Sequence, residues 1–140
     1  MGWENAHLHE FKVGELSYGE PHPDYGDSML SHKKATVQAV AVTVGGKFTY
    51  IYDFGDGWQH ELMLEKIVKA EVGVHYPVCI AGKRACPPED CGGIGGFGEL
   101  LEALSDPQTD DQRDLVEWAS EYDPTVFDLE GVNKRLKRMK

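Results

Sequence analysis

Aromatic residues recur at every second position from Phe48 to Phe54, interleaved with Thr49, Ile51 and Asp53, and run into the turn Gly55-Asp56-Gly57. A second alternating run, Trp58 to Glu65, follows at once. Period two on both sides of a glycine-rich turn predicts a long β-hairpin over about residues 47–68. A shorter alternation over residues 7–13 sets His7, His9, Phe11 and Val13 on one side of a strand, and Leu8, Glu10 and Lys12 on the other. Gly14-Glu15 then offers a turn, and Leu16–Tyr18 a short return strand. Val37–Val44 satisfies two periods at once. Its valines favour a strand, while Val37, Val40, Ala41 and Val44 also form a helical stripe.

Residues 19–34, with Pro21, Pro23 and Gly26, read as a loop, and residues 73–96 carry too many prolines and glycines for regular structure. Three helical patterns close the chain. The first, near 97–105, is expected to bury Phe97, Leu100, Leu101 and Leu104; the second, near 109–120, Leu115 and Trp118. The third follows Asp128 as N-cap and is expected to bury Leu129, Val132 and Leu136. Strands first and helices last predict an α+β domain over residues 1–140: a small antiparallel sheet containing the long hairpin, packed with three C-terminal helices.

The hairpin's register decides which side chains share a face. A two-residue loop at Asp56-Gly57 would set Asp53 across from His60, but would mix the aromatic residues with Gln59, Glu61 and Glu65. A three-residue loop, Gly55-Asp56-Gly57 with Gly57 left-handed, gathers Phe48, Tyr50, Tyr52, Phe54, Trp58, His60, Leu62 and Leu64 on one face. It leaves Thr49, Ile51, Asp53, Gln59, Glu61, Met63 and Glu65 on the other. The cleaner segregation favours the longer loop, with His60 facing Tyr52 and the tip presenting Asp53, Asp56 and Trp58.

Fourteen Lys and Arg against 24 Asp and Glu give a formal charge of −10 over 140 residues. Such a field repels phosphate backbones and argues against sequence-independent nucleic-acid binding. The exception is the C-terminus, where Lys134, Arg135, Lys137, Arg138 and Lys140 cluster. These cations either complement a helix dipole or form a basic tail for an acidic partner or nucleic acid. No apolar run reaches the ~20 residues that span a bilayer, so the expected compartment is the cytoplasm, with no membrane partner. Cys79, Cys86 and Cys91 are expected as reduced thiols.

Several blocks, in order, carry a resemblance: Gly2-Trp3 followed by His7-Leu8-His9-Glu10-Phe11, then Tyr18-Gly19, then Tyr50 through His60. After them come Tyr76-Pro77, Cys79, Gly82, Cys86-Pro87-Pro88-Glu89-Asp90 with Gly92-Gly93, and then Asp123-Pro124, Phe127-Asp128 and Asn133. Over nearly its whole length the chain resembles the plasmid pRi ORF-three-like family, insertion-element passenger proteins of TnpR-like type. The resemblance implies a small α+β domain encoded near mobile elements, without a settled activity, and tips Val37–Val44 towards a short helix. It also implies a strand–helix unit ahead of Gly2-Trp3, containing a Trp-Arg-Arg motif. A sheet edge left open by the loss of such a unit would favour self-association.

Candidate chemistry centres on His7, His9, Asp53, Asp56, Trp58, His60, Glu89 and Asp90. If His60 lies on a strand neighbouring His7 and His9, three imidazoles with nearby carboxylates could hold zinc or another divalent transition metal. The alternative is that they hydrogen-bond locally and pack on aromatic rings. Glu89-Asp90, between two prolines and two glycines, is either a cation site or general base, or an acidic corner in which Asp90 caps the glycine turn. The spacing C-x6-C-x4-C, with His75 upstream, is poor for zinc. Asp53-Phe54-Gly55 lacks the rest of a kinase, and Gly93, Gly95 and Gly98 do not follow a strand as a dinucleotide fingerprint must. The leading expectation is a non-enzymatic interaction or accessory module with a protein partner. The rivals are a small metal-dependent hydrolase or nuclease, and a nucleic-acid binder acting through the basic C-terminal helix.

Overall fold

In the computed structural model, which describes residues 2–20, 29–41 and 43–139, the strand alternation and the helical stripes separate along the chain. Contacts gather into two compact units, one of Asn5–Lys69 and one of Met1–Glu4 with Ala70–Lys140. The first carries the sheet and the second the three long helices.

The sheet unit opens with β1 (His9–Val13) and β2 (Leu16–Gly19), joined by the expected Gly14-Glu15 turn. Gly14 takes φ +58, a left-handed conformation that a two-residue hairpin turn needs and glycine adopts without steric cost. Then come β3 (Leu30–Ser31), a 3₁₀ turn at His32–Lys34, α1 (Val37–Val40), β4 (Lys47–Tyr52) and β5 (Trp58–Met63). The strand order is β3-β2-β1-β4-β5. All pairs are antiparallel except β2 with β3, so the sheet is mixed rather than purely antiparallel. The loop expected over 19–34 is corrected at its end, where β3 and the 3₁₀ turn form. The part of it at 21–28 lies outside the described residues. The short helix expected in Val37–Val44 forms as one turn, because the Thr36 hydroxyl accepts the Ala39 N–H at 3.2 Å. Val42, within that stretch, is outside the described residues.

The hairpin forms, but its strands are shorter than expected. Regular pairing ends at Met63, and two backbone bonds between Leu64 and the Gly45-Gly46 pair close its open end. Tyr52 pairs with Trp58 and Tyr50 with His60, so five residues, 53–57, form the turn. This is a two-residue slip from the expected register. An even slip preserves the faces. Phe48, Tyr50, Tyr52, Trp58, His60 and Leu62 therefore still share one face, and Phe11 joins them through its pairing with Tyr50. Tyr52 and Trp58 are the buried pair of this face, at the turn end of the hairpin.

The helical unit contains α2 (Gly93–Ser105), α3 (Asp110–Trp118) and α4 (Leu129–Leu136). α2 starts four residues earlier than its apolar stripe predicted, because Gly92 caps it in a left-handed conformation (φ +85) inside what reads as a broken segment. α3 carries a full capping box, with the Thr109 hydroxyl and the Gln112 side chain each accepting the other's backbone N–H at 3.2 Å. Asp128 caps α4 as expected, accepting the Gly131 N–H at 2.8 Å. Leu100, Ala103 and Ala119 are the buried apolar residues of this unit. Trp118, expected inside, is 55% exposed, and Leu129 is also exposed. Helical periodicity assigns a face, but only a neighbouring element can cover it. Cys79, Cys86 and Cys91 are all free thiols.

Candidate functional site

The residues that build the site lie at the tip of the hairpin and along β1. Tyr52 ends β4, and its hydroxyl accepts the N–H groups of Ala6 (3.1 Å) and His7 (3.4 Å). One residue on, the Asp53 N–H donates to the Leu8 carbonyl at 2.9 Å. These three bonds hold the segment before β1 against the hairpin and bring the His7 ring to Asp53, with Nδ1 and Oδ2 3.6 Å apart. That separation suits an ion pair and exceeds a hydrogen bond.

Among the described residues, Asp53 is the charged residue that is buried. It takes φ +56, and its Oδ1 accepts the N–H groups of Gly55 (2.9 Å) and Asp56 (3.4 Å), while its carbonyl accepts the Gly57 N–H at 2.6 Å. Asp tolerates the left-handed region and caps the backbone that follows it, which is why the turn opens here. Gly57 is left-handed (φ +66), as expected, and closes it. Asp56 Oδ2 is shielded from solvent without a hydrogen-bond partner among the described residues. Trp58 is corrected: it is not presented at the tip but buried opposite Tyr52, because the five-residue turn makes it the first residue of β5.

His60 does not face Asp53. Its Nδ1 lies 3.2 Å from the Tyr50 carbonyl, and its ring packs on Tyr50 with centroids 5.6 Å apart. His9 contacts the same Tyr50 ring at 5.9 Å. Because β4 lies between β1 and β5, the strands that carry His9 and His60 stand roughly 10 Å apart. His7, His9 and His60 therefore do not converge as three ligands, which corrects the metal set read from alternation. His7 precedes β1, so the alternation that should have carried it beside His9 does not reach it.

Sequence reasoning missed His32. The β3 pairing with β2 delivers it to His9, where the two rings stack at 4.9 Å and 29°. Burial, then the charge of His32, hold the His9 imidazole below its ordinary titration range, and Glu20 opposes them. Glu20 itself pairs with Lys33 at 2.7 Å, which holds its carboxyl low. No alternation could have flagged His32, because the strand preceding it is two residues long.

In the helical unit, Glu89 Oε1 accepts the Glu4 N–H at 2.8 Å, and the exposed Asp90 takes φ +55. The basic C-terminus forms the last turn of α4, where Lys134 and Arg135 meet the dipole and Lys134 pairs with Glu130 at 2.8 Å. Lys137 and Arg138 follow it, and Lys140 lies outside the described residues. No helix among the described residues is long and apolar enough to cross a membrane.

The family model for plasmid pRiA4b ORF-3-like protein matches residues 1–131. The chain belongs to this family. A relative from Sinorhizobium fredii, named uncharacterized protein y4hQ, is 36% identical over 137 residues, which are 96% of this chain and 70% of the relative. A solved structure from Methanosarcina mazei, titled protein of unknown function MM3350, superposes with a TM-score of 0.81 at 41% identity, covering 94% of this chain and 75% of that one. The expected α+β class and family thus both hold. In this member of the plasmid pRiA4b ORF-3-like family, the block Tyr50 to His60 that carried the resemblance is the one that forms the tip and positions His7.

Proposed function

We propose that the protein is a non-enzymatic interaction module of the cytoplasm that engages a protein partner through the aromatic face of its sheet. The observation that carries this reading is the exposure of that face on its β2–β3 side. Leu16 and Leu30, on β2 and β3, share the face of Phe11 and Tyr18 and are 50% and 46% exposed. Apolar side chains presented side by side on a sheet offer contact area without requiring a reaction centre. The acidic charge supports a protein rather than a nucleic-acid partner, and the resemblance to mobile-element passengers suggests a protein encoded beside such an element.

Photo-crosslinking from position 16 or 30 of the full chain, in its host, tests the reading. A discrete heteromeric adduct from these positions, absent when the crosslinker replaces Lys12 on the opposite face, supports it. Equal labelling from both faces overturns it. The His7–Asp53 pair favours a second reading, a metal-dependent hydrolase or nuclease, because imidazole and carboxylate are the donors that hold zinc. Elemental analysis of protein purified without a metal column separates the two. Stoichiometric zinc, manganese or iron that is lost in a folded His7→Ala variant would move the assignment to the second reading.

A further inference from the structure

A cleft of about 720 Å³ lies wholly within the helical unit, between residues 82–87, the α2 residues Phe97 and Leu101, and residues 124–127. Its size is that of a small-molecule site. Phe97, Leu101 and Phe127 give it apolar walls, and Lys83 and Arg84 also line it. None of its described lining residues is acidic, although the chain carries a formal charge of −10. The nearest carboxylate in sequence to its far wall, Asp123, is occupied by the Thr125 N–H (2.8 Å) and hydroxyl (2.6 Å). Among the described residues, neither Lys83 nor Arg84 has a side-chain hydrogen bond or ion pair.

Two backbone features hold this arrangement. Ala85 N–H donates to the Pro124 carbonyl at 3.1 Å, which ties the two loops together. Gly82 lies under the Phe127 ring so closely that a Cβ there would stand 2.3 Å from it. Arg84 takes φ +64, a conformation that disfavours a side chain with a Cβ, and does so at the one place where the cleft gains a guanidinium.

We propose that this cleft binds a small amphipathic anion, an aromatic carboxylate whose ring lies against Phe97 and Phe127 and whose head group meets Lys83 and Arg84. Unpartnered cations beside apolar walls complement both halves of such a molecule. Guanidinium matches a carboxylate by two parallel hydrogen bonds, which a neutral head group cannot reproduce.

Amide-resolved NMR titration of the full chain with naphthoate, naphthamide and naphthyl phosphate tests the proposal. Naphthoate is expected to shift amides within 82–87 and 124–127, and to bind roughly tenfold tighter than naphthamide. Lys83→Ala and Arg84→Gln, both at exposed positions, should keep the fold and each weaken naphthoate by about fivefold or more. Equal affinity for naphthoate and naphthamide, undiminished binding when Lys83→Ala and Arg84→Gln are combined, or shifts confined to other residues would each overturn the proposal. Tighter binding of naphthyl phosphate would overturn the carboxylate assignment and make the head group a phosphate.

Discussion

Asn133 and Cys79 exchange two hydrogen bonds: the Cys79 N–H donates to Asn133 Oδ1 at 2.8 Å, and Asn133 Nδ2 donates to the Cys79 carbonyl at 2.9 Å. One side chain on α4 thus satisfies both backbone groups of a residue in the irregular segment before α2, as a paired strand would. Nδ2 also reaches the Leu129 carbonyl at 3.1 Å, which completes the amide's donors. Asn133→Ala would leave two partly buried backbone groups without partners, at an expected loss of about 1–3 kcal/mol. Asn133→Asp keeps the acceptor but turns a carboxylate towards two carbonyls, so it should lose at least as much. Urea unfolding followed by tryptophan fluorescence checks both, and a loss below about 0.3 kcal/mol for Asn133→Ala would show that water replaces the amide at no cost.

The glycines at the start of α2 separate by role. A Cβ at Gly96 would stand 2.0 Å from the Cys91 carbonyl oxygen, a backbone atom that cannot swing away, whereas a Cβ at Gly95 or Gly98 meets nothing within 4 Å. Gly96→Ala is therefore expected to destabilise by about 2 kcal/mol or more through displacement of the helix start. Gly98→Ala, which removes glycine from the helix interior, should instead stabilise by about 0.5–1 kcal/mol, and Gly95→Ala, in the first turn, by less. Thermal unfolding of the three variants reads the opposite signs directly. Equal effects would mean that the close approach of residues 91 and 96 does not constrain the chain.

Much of this fold was legible in the chain, and the misses share a cause. Alternation at Phe48, Tyr50 and Tyr52 identifies the residues that share a face, and that conclusion survived a two-residue slip because side-chain direction repeats every second residue. The turn length was not legible. It depends on Asp53 adopting a left-handed conformation and capping the turn with its own carboxylate, which no hydrophobic pattern encodes. A three-residue loop sets Trp58 at the tip, and the five-residue turn sets it opposite Tyr52. His32 carries no signal because a two-residue strand has no period, and the alternation that sets His7 beside His9 runs two residues beyond the start of β1. Patterns of polarity report which way a side chain points; contacts such as His7 with Asp53 also depend on where the strand stops.

Asp53 allows the capping and electrostatic contributions at the tip to be separated. Asp53→Asn keeps an acceptor for the Gly55 and Asp56 N–H groups and a residue type that tolerates φ +56, losing only the charge beside His7. Asp53→Ala loses the cap and adds left-handed strain, so it should cost about 1–3 kcal/mol more than Asp53→Asn. Asp53→Gly relieves the strain without restoring the cap and should fall between them. Chemical denaturation at neutral pH gives the order. Asn and Ala variants of equal stability would mean that the carboxylate serves His7 rather than the turn.

His9 gives the sheet unit a pH dependence on the mildly acidic side. Its folded-state pKa lies below the unfolded value of about 6.5, first through burial and then through the charge of His32, with Glu20 opposing. Below about pH 6.5 the unfolded chain therefore binds this proton more readily than the folded one. Stability should be full above that pH, fall as the pH drops from there to the lowered folded value, and level off beneath it. Glu20 stays outside this window, because its pairing with Lys33 moves its titration below the ordinary carboxylate range. His9→Gln is expected to flatten that limb of the pH profile. His32→Gln should raise the His9 titration towards its ordinary value without reaching it, since burial is the larger cause. Titration of the His9 ring proton by NMR gives the folded value directly, and a midpoint at or above about 6.5 would exclude His9 as the origin of any stability lost on mild acidification.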